Sequence, residues 1–286
     1  MTDEEKDDFG TDFPAMDVDR QPRVTGETDE RYNCIAWTIG RIDTWIDPWQ
    51  SLAEWDAFYA LHNLVRDADN GTVAIWKDHA EYTHGCVAVA QHGFSWESKC
   101  GEDLRILHDL GELVSPDLYG NVQVYYNPAP PSPPPAPPSP APSRYAETRR
   151  VTPVPSRAIA MIPTEQAALL HKIVSTVPGP LVREFESLFA AWRRSWFAGA
   201  MKFSSDTRDR TSTWAYRRLL DMGPAIIPLV VAKLQDPKNF IAIRLYDDLQ
   251  TDPGLCVVHK AGDPVATTGL QGRAAQTMRL YLANTK

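Results

Sequence analysis

The sequence predicts an α+β domain followed by an all-α domain, and three observations carry that prediction. Short β-branched and aromatic runs (GTVAIWKD, FSWESKC, NVQVYYN and CVAVAQH) gather between residues 71 and 127, behind two helix-like stretches. Beyond residue 158, apolar residues recur at steps of three and four. Between these regions, nine of the fifteen residues 129–143 are proline, which removes backbone donors and favours polyproline II over a packed helix or strand. The expected organisation is an acidic disordered tail over 1–26, an α+β domain over 27–127, a proline-rich linker over 128–157 and a helical domain over 158–286.

The elements follow in order. Residues 1–30 hold 11 acids and 3 bases and so account for the whole net charge of -8; this reads as a solvating tail. NCIAWTIG begins a helix-like run that Trp45, Ile46, Pro48 and Trp49 interrupt. SLAEWDAFYALHNLV carries Ser51 as N-cap and Glu54 three residues on, a capping box before an apolar run. The strands come next, with DLRILHDLGELV read as a short helix or helix-loop between them. In the helical domain the clearest stretch is PLVREFESLFAAWRRSWFAGA, where Leu181, Phe185, Leu188, Phe189, Trp192 and Trp196 share one face. TSTWAYRRLLDMG, PAIIPLVVAKLQD, DPKNFIAIRLYDDLQ and LQGRAAQTMRLYLANT follow, and Pro228 is tolerated only in a first turn.

Composition excludes several classes. Outside the tail, 26 bases balance 26 acids, so charge offers no broad grip on nucleic acid. The start MTDEEKDDFG lacks the basic lead and apolar core of a signal peptide, and no run of about 18 apolar residues predicts a membrane span. Four cysteines without a CxxC pair speak against a disulfide scaffold or a structural zinc site. A cytoplasmic protein without metal or cofactor, acting on neither nucleic acid nor membrane, is expected.

The chemistry concentrates at Cys34. A helix start lowers a thiol pKa through its free N–H groups, and the backbone N–H groups at Asn33 and Cys34 are candidates for holding an oxyanion. His84, at the head of a predicted strand, is the candidate base; His79, His92 and His108 are weaker. Glu97 or Ser98 is the candidate third group, since strand alternation lets one of the two point at His84. Gln91 and Asp103 lie further out.

YNCIAWTIG, the later Trp45, Pro48 and Trp49, and EWDAFYALH resemble the opening of an uncharacterised bacterial domain family. Tyr32, Asn33, Cys34, Ala36, Trp37 and Gly40 carry that likeness. A second block does so with Thr83, His84, Gly93, Trp96, Ser98, Lys99 and Gly101, and a third with Tyr119 and Gly120. The family looks like a diverged papain-like or NlpC/P60-like thiol hydrolase, which implies a papain-like α+β fold and a Cys34–His84 pair. Thr28 stands where a papain-like glutamine would assist the oxyanion, and Gly85 directly follows His84. The C-terminal half resembles an uncharacterised bacterial helical module through Ala215, Tyr216, Met222, Gly223, Ile227, Pro228, Leu234, Pro237, Leu245 and Pro253, with Phe240 and Ile241 where two aromatics are usual; the likeness implies a binding or scaffold element.

Two functions are expected from these readings. One is a cysteine-dependent hydrolase of the peptidase, amidase or deamidase type, acting on a protein or peptide-like substrate. The other is a non-enzymatic interaction or scaffold protein whose helical domain binds a protein partner.

Overall fold

A computed structural model describes residues 1–130 and 164–285. Nearly all of the expected linker, including most of the proline run, lies outside the described residues. The N-terminal part comprises α1 (Asp3–Asp12), β1 (Val24–Gly26), α2 (Cys34–Thr38), α3 (Leu52–Ala60), β2 (Leu64–Asp67), β3 (Val73–Lys77), β4 (Tyr82–Gln91), β5 (Phe94–Lys99), β6 (Arg105–His108) and β7 (Asn121–Pro128). Its strands form one antiparallel sheet in the order β1-β6-β5-β4-β3-β7-β2. The C-terminal part comprises α4 (Thr164–Val174), α5 (Gly179–Ser195), α6 (Trp214–Asp221), α7 (Ile227–Lys233), α8 (Ala242–Leu249) and α9 (Gly269–Asn284), with 3₁₀ turns between them. The layout is α+β, then all-α.

The centre of the sheet is buried on both faces. Alternation along β3 and β4 sends Val73, Ile75 and Val87 to one face, beneath α2 and α3, where Ile35, Trp37, Trp55, Phe58 and Tyr59 cover them. It sends Ala74, Trp76 and Cys86 to the other, beneath Phe9, Phe13 and Met16. This second cover corrects the disordered tail expected over 1–26. Thr2 and Glu5 close a capping box, and Phe9 and Phe13, one helical turn apart, are fully buried. Each such burial contributes roughly 1.5–3 kcal/mol, which outweighs the acidic composition. Met16, Arg23 and β1 continue the same folded unit, so its boundary does not lie at residue 27. Residues 105–108, expected as part of a helix or helix-loop, pair as β6 with β5 and β1; Leu110–Leu113 form a 3₁₀ turn. Leu64 and Val65, read as the end of a helix, join Arg66 and Asp67 in β2, which pairs with β7.

The helical part follows its apolar stripe. Phe185, Leu188, Phe189, Trp192 and Trp196 enter one core, and Pro228 sits in the first turn of α7. The two parts do not stand apart as spacer-joined units. Trp45 lies in the helical core, and Phe203, from the helical part, lies in the core under the sheet's second face. Lys202 pairs with Asp8 at 2.5 Å and with Asp103 at 2.8 Å. Two glycines mark how closely the backbones approach. Gly101 has φ +56°, and a Cβ there would stand 2.0 Å from the Lys202 carbonyl oxygen. Gly269 has φ +57°, and its Cβ would stand 2.2 Å from Thr44 Oγ1. Gly101→Ala is expected to cost more than about 2 kcal/mol in urea unfolding, because a left-handed backbone penalty of roughly 1–2 kcal/mol adds to the clash. Gly199→Ala, with φ +57° and nothing near its Cβ, should show the backbone penalty alone. Equal losses would contradict the close approach.

Candidate functional site

Asn33 shapes the start of α2. Its Oδ1 accepts from the Ala36 N–H at 3.2 Å and from the Ile46 N–H at 3.3 Å. Its Nδ2 donates to the carbonyls of Ile46 at 2.7 Å and Ser205 at 3.4 Å. The side chain is therefore an N-cap that also ties two distant segments to the helix start.

Cys34 follows it and is fully buried. Its sulfur lies 2.9 Å from Ser205 Oγ, on the 3₁₀-rich stretch between α5 and α6. Arg210 holds that stretch in shape: it is buried, and its guanidinium donates to the carbonyls of Trp196, Met201, Ser204 and Asp206. Burial pushes the Cys34 thiol up to about 11, against hydrogen bonds from Ser205 and the Gly85 and Ile35 backbones that pull it down. At neutral pH the group is then held as the protonated thiol, whereas the thiolate is the form that attacks.

His84 sits on the other face. In the β3–β4 register Trp76 opposes His84 and Ile75 opposes Gly85. A Cβ on Gly85 would touch Thr38 and Ile35 of the α2 region. His84 instead stacks on Tyr119 at 3.9 Å and meets the edge of Trp76 at 6.0 Å. Its Nε2 is 2.8 Å from Ser98 Oγ, which is in turn 2.8 Å from His108 Nε2. His108 Nδ1 lies 2.9 Å from the Asp109 carbonyl. That carbonyl only accepts, so the network assigns the His108 proton to Nδ1. Ser98 then donates to His108 and accepts from His84 Nε2–H. His84 Nδ1 is left as a bare acceptor, without a hydrogen-bond partner. Burial pulls His84 well below the usual imidazole range, and it pulls His108 down to about 4.

The structure thus joins His84 to Ser98 and adds His108. Neither ring nitrogen of His84 bonds to the Cys34 sulfur. Glu97 falls on the α2 face and pairs with Arg105 at 3.3 Å, whose guanidinium lies over Trp37. Lys99 is buried, donates to the Gly101 and Asp103 carbonyls, and is pulled down to about 8 by burial. His92 lies in the turn between β4 and β5, with φ +51°. Sequence reasoning missed Ser205 and Arg210, 171 and 176 positions beyond Cys34, for which no local pattern exists. It ranked His108 low because residues 105–108 were read as helical.

An open depression at the junction is lined by Thr28, Asp29, Glu30, Arg31, Glu102 and Lys238. None of Cys34, His84 or Ser98 is among these residues. Among the described residues, no group of three or more His, Cys, Asp or Glu side chains is placed to hold a metal ion, the four cysteines are free, and no helix is long and apolar enough to cross a membrane.

Residues 23–127 match a family model described as a domain of unknown function, DUF7689. The match begins at buried Arg23, which holds Glu112 at 2.8 Å, and ends within β7. It therefore covers the sheet with α2 and α3, without α1. No curated protein and no solved structure matches the chain.

Proposed function

We propose that this chain is a non-enzymatic interaction protein, in which the sheet domain and the helical module form one body and the helical module engages a protein partner. One observation carries the reading: the Cys34 thiol is sealed against Ser205 of the helical module, while the imidazole that would activate it is committed to Ser98 on the opposite face. A thiol with its pKa raised by burial and without a base has the character of a packing group. Labelling the native protein with a broad thiol-reactive probe, and mapping the sites by mass spectrometry, tests this. Partly exposed Cys256 should react readily, and Cys34, Cys86 and Cys100 should react at least 100-fold more slowly. Fast labelling at Cys34 that is lost in His84→Ala would overturn the reading.

A second reading keeps Cys34 as the nucleophile of a cysteine-dependent hydrolase, of the peptidase, amidase or deamidase type, on a papain-like scaffold. It is favoured by the position of Cys34 at the start of α2 and by the origin of its cover in another module. It requires residues 203–206 to leave and the His84 ring to exchange Ser98 for the sulfur. The helix-start N–H groups at Asn33 and Cys34 would then receive the oxyanion.

A further inference from the structure

Residues 44–47 belong to the sheet domain by sequence and to the helical module by contact. Trp45 is fully buried; its ring stacks on Phe240 at 5.5 Å and tilts against Phe197 at 5.9 Å. Its indole N–H donates to the Ser205 carbonyl at 2.8 Å. Its main-chain N–H donates to Gln271 Oε1 at 2.7 Å, and its carbonyl accepts from the Leu270 N–H at 2.8 Å. The side chain of the next residue, Ile46, turns back into the core of the sheet domain. Asp47 turns to the helical module again. There it accepts from the Thr207 N–H at 3.1 Å and hydroxyl at 2.9 Å, and pairs with Arg244.

This is how an extended peptide is read. Alternate side chains enter alternate sites, and the main chain is met by both a donor and an acceptor. Tryptophan in a desolvated pocket and a carboxylate on arginine are among the contacts that dominate binding energy. We propose that this groove, built by Phe197, Ser205, Thr207, Phe240, Arg244 and Gln271, is a receptor for extended segments of the form tryptophan, any residue, aspartate. In the resting chain it is filled by the molecule's own residues 44–47. This rests on the interaction reading above and names the chemistry of the partner.

Intramolecular occupancy sets the threshold. A tethered segment acts at an effective concentration on the order of millimolar, so a separate segment of micromolar affinity is held off by roughly 100-fold or more. Displacement also has a second readout. Ser205 meets Trp45 through its carbonyl and Cys34 through its hydroxyl, so a partner that expels Trp45 disturbs the seal on Cys34.

The test uses the full chain and a fluorescent peptide with the sequence of residues 42–49, IDTWIDPW, followed by anisotropy. Asp47→Ala weakens the tethered segment and should bind the peptide at least tenfold more tightly than wild type. Adding Arg244→Ala should abolish that gain, and a peptide with alanine in place of the residue-45 tryptophan should not bind. Saturating peptide should speed Cys34 labelling in Asp47→Ala. Asp47→Asn, which preserves volume, carries the comparison if the alanine variant unfolds. Equal binding to wild type and the folded Asp47 variant, or equal binding of the tryptophan-free peptide, overturns the proposal. The labelling of the native protein without peptide is a separate result and stands or falls with the interaction reading.

Discussion

Trp45→Ala is expected to lower the stability of the whole chain by about 3–5 kcal/mol, the range for deleting a fully buried large aromatic side chain. The indole fills the helical core between Phe197 and Phe240, and its removal also leaves the Ser205 carbonyl without its shortest donor. At roughly 2–4 °C per kcal/mol for a chain of this size, the midpoint of thermal unfolding should fall by about 10 °C. Trp45→Phe keeps most of the apolar volume and loses the N–H, so it should cost about 1–2 kcal/mol. Trp214→Ala, at a position 65% exposed, should leave the midpoint within about 1 °C. Because each part places an aromatic residue in the other's core, wild type should unfold in a single transition by circular dichroism and by tryptophan fluorescence. A helical signal that melts well before the sheet would contradict the shared cores.

The second large effect is a loss of stability in mild acid. His108 titrates near 4 in the folded chain and near 6.5 when exposed, and His84 is pulled down in the same direction. Well above pH 6.5 both rings are neutral in both states and contribute almost nothing to the pH dependence. As the pH falls below 6.5, the unfolded chain takes up protons that the folded chain refuses, so stability declines towards pH 4. His108 alone accounts for about 3 kcal/mol over that window, and His84 adds a loss of the same sign. Half-buried His259, also depressed, contributes in the same direction. Glu112 and Asp109 are held below the ordinary carboxylate range, and their stabilisation is lost only below about pH 4.5, in a separate window. Urea midpoints at pH 7, 6, 5 and 4.5 should fall progressively, and His108→Asn should flatten the slope. A constant midpoint from pH 7 to pH 5 would mean that the two imidazoles are not buried and neutral.

Much of the fold was legible because its signals are local. The stripe from Leu181 to Trp196 specifies α5 within one stretch of chain, and Ser51 with Glu54 specifies the start of α3. Alpha-helix α1 carried a signal of the same kind, Thr2 with Glu5 and then Phe9 with Phe13, but the surrounding acids dominated the reading. Residues 105–108 are too few to show a period, and the neighbouring LGEL suggested a helix; only pairing with β1 and β5 makes them a strand. The site was less legible because its geometry is non-local. Sequence spacing can place His84 at a strand head, yet which face it takes depends on the register with β3. Alternation did narrow Glu97 and Ser98 to one partner for His84, and Ser98 is the one joined to it. The partner of Cys34 lies 171 positions away, and Trp45, read as an interruption, is the residue that locks the two parts together.

That lock has a consequence during synthesis. Gln271, which receives the Trp45 main-chain N–H, lies 226 positions further along the chain. At about 5–20 residues per second, ribosomes need roughly 10–45 s to cover that distance. Until that interval ends, residues 34–47 present a tryptophan, a thiol and an aspartate to a surface that is not yet complete. Nascent chains stalled before residue 268 should therefore recruit holdase chaperones, and release of the full chain should shed them.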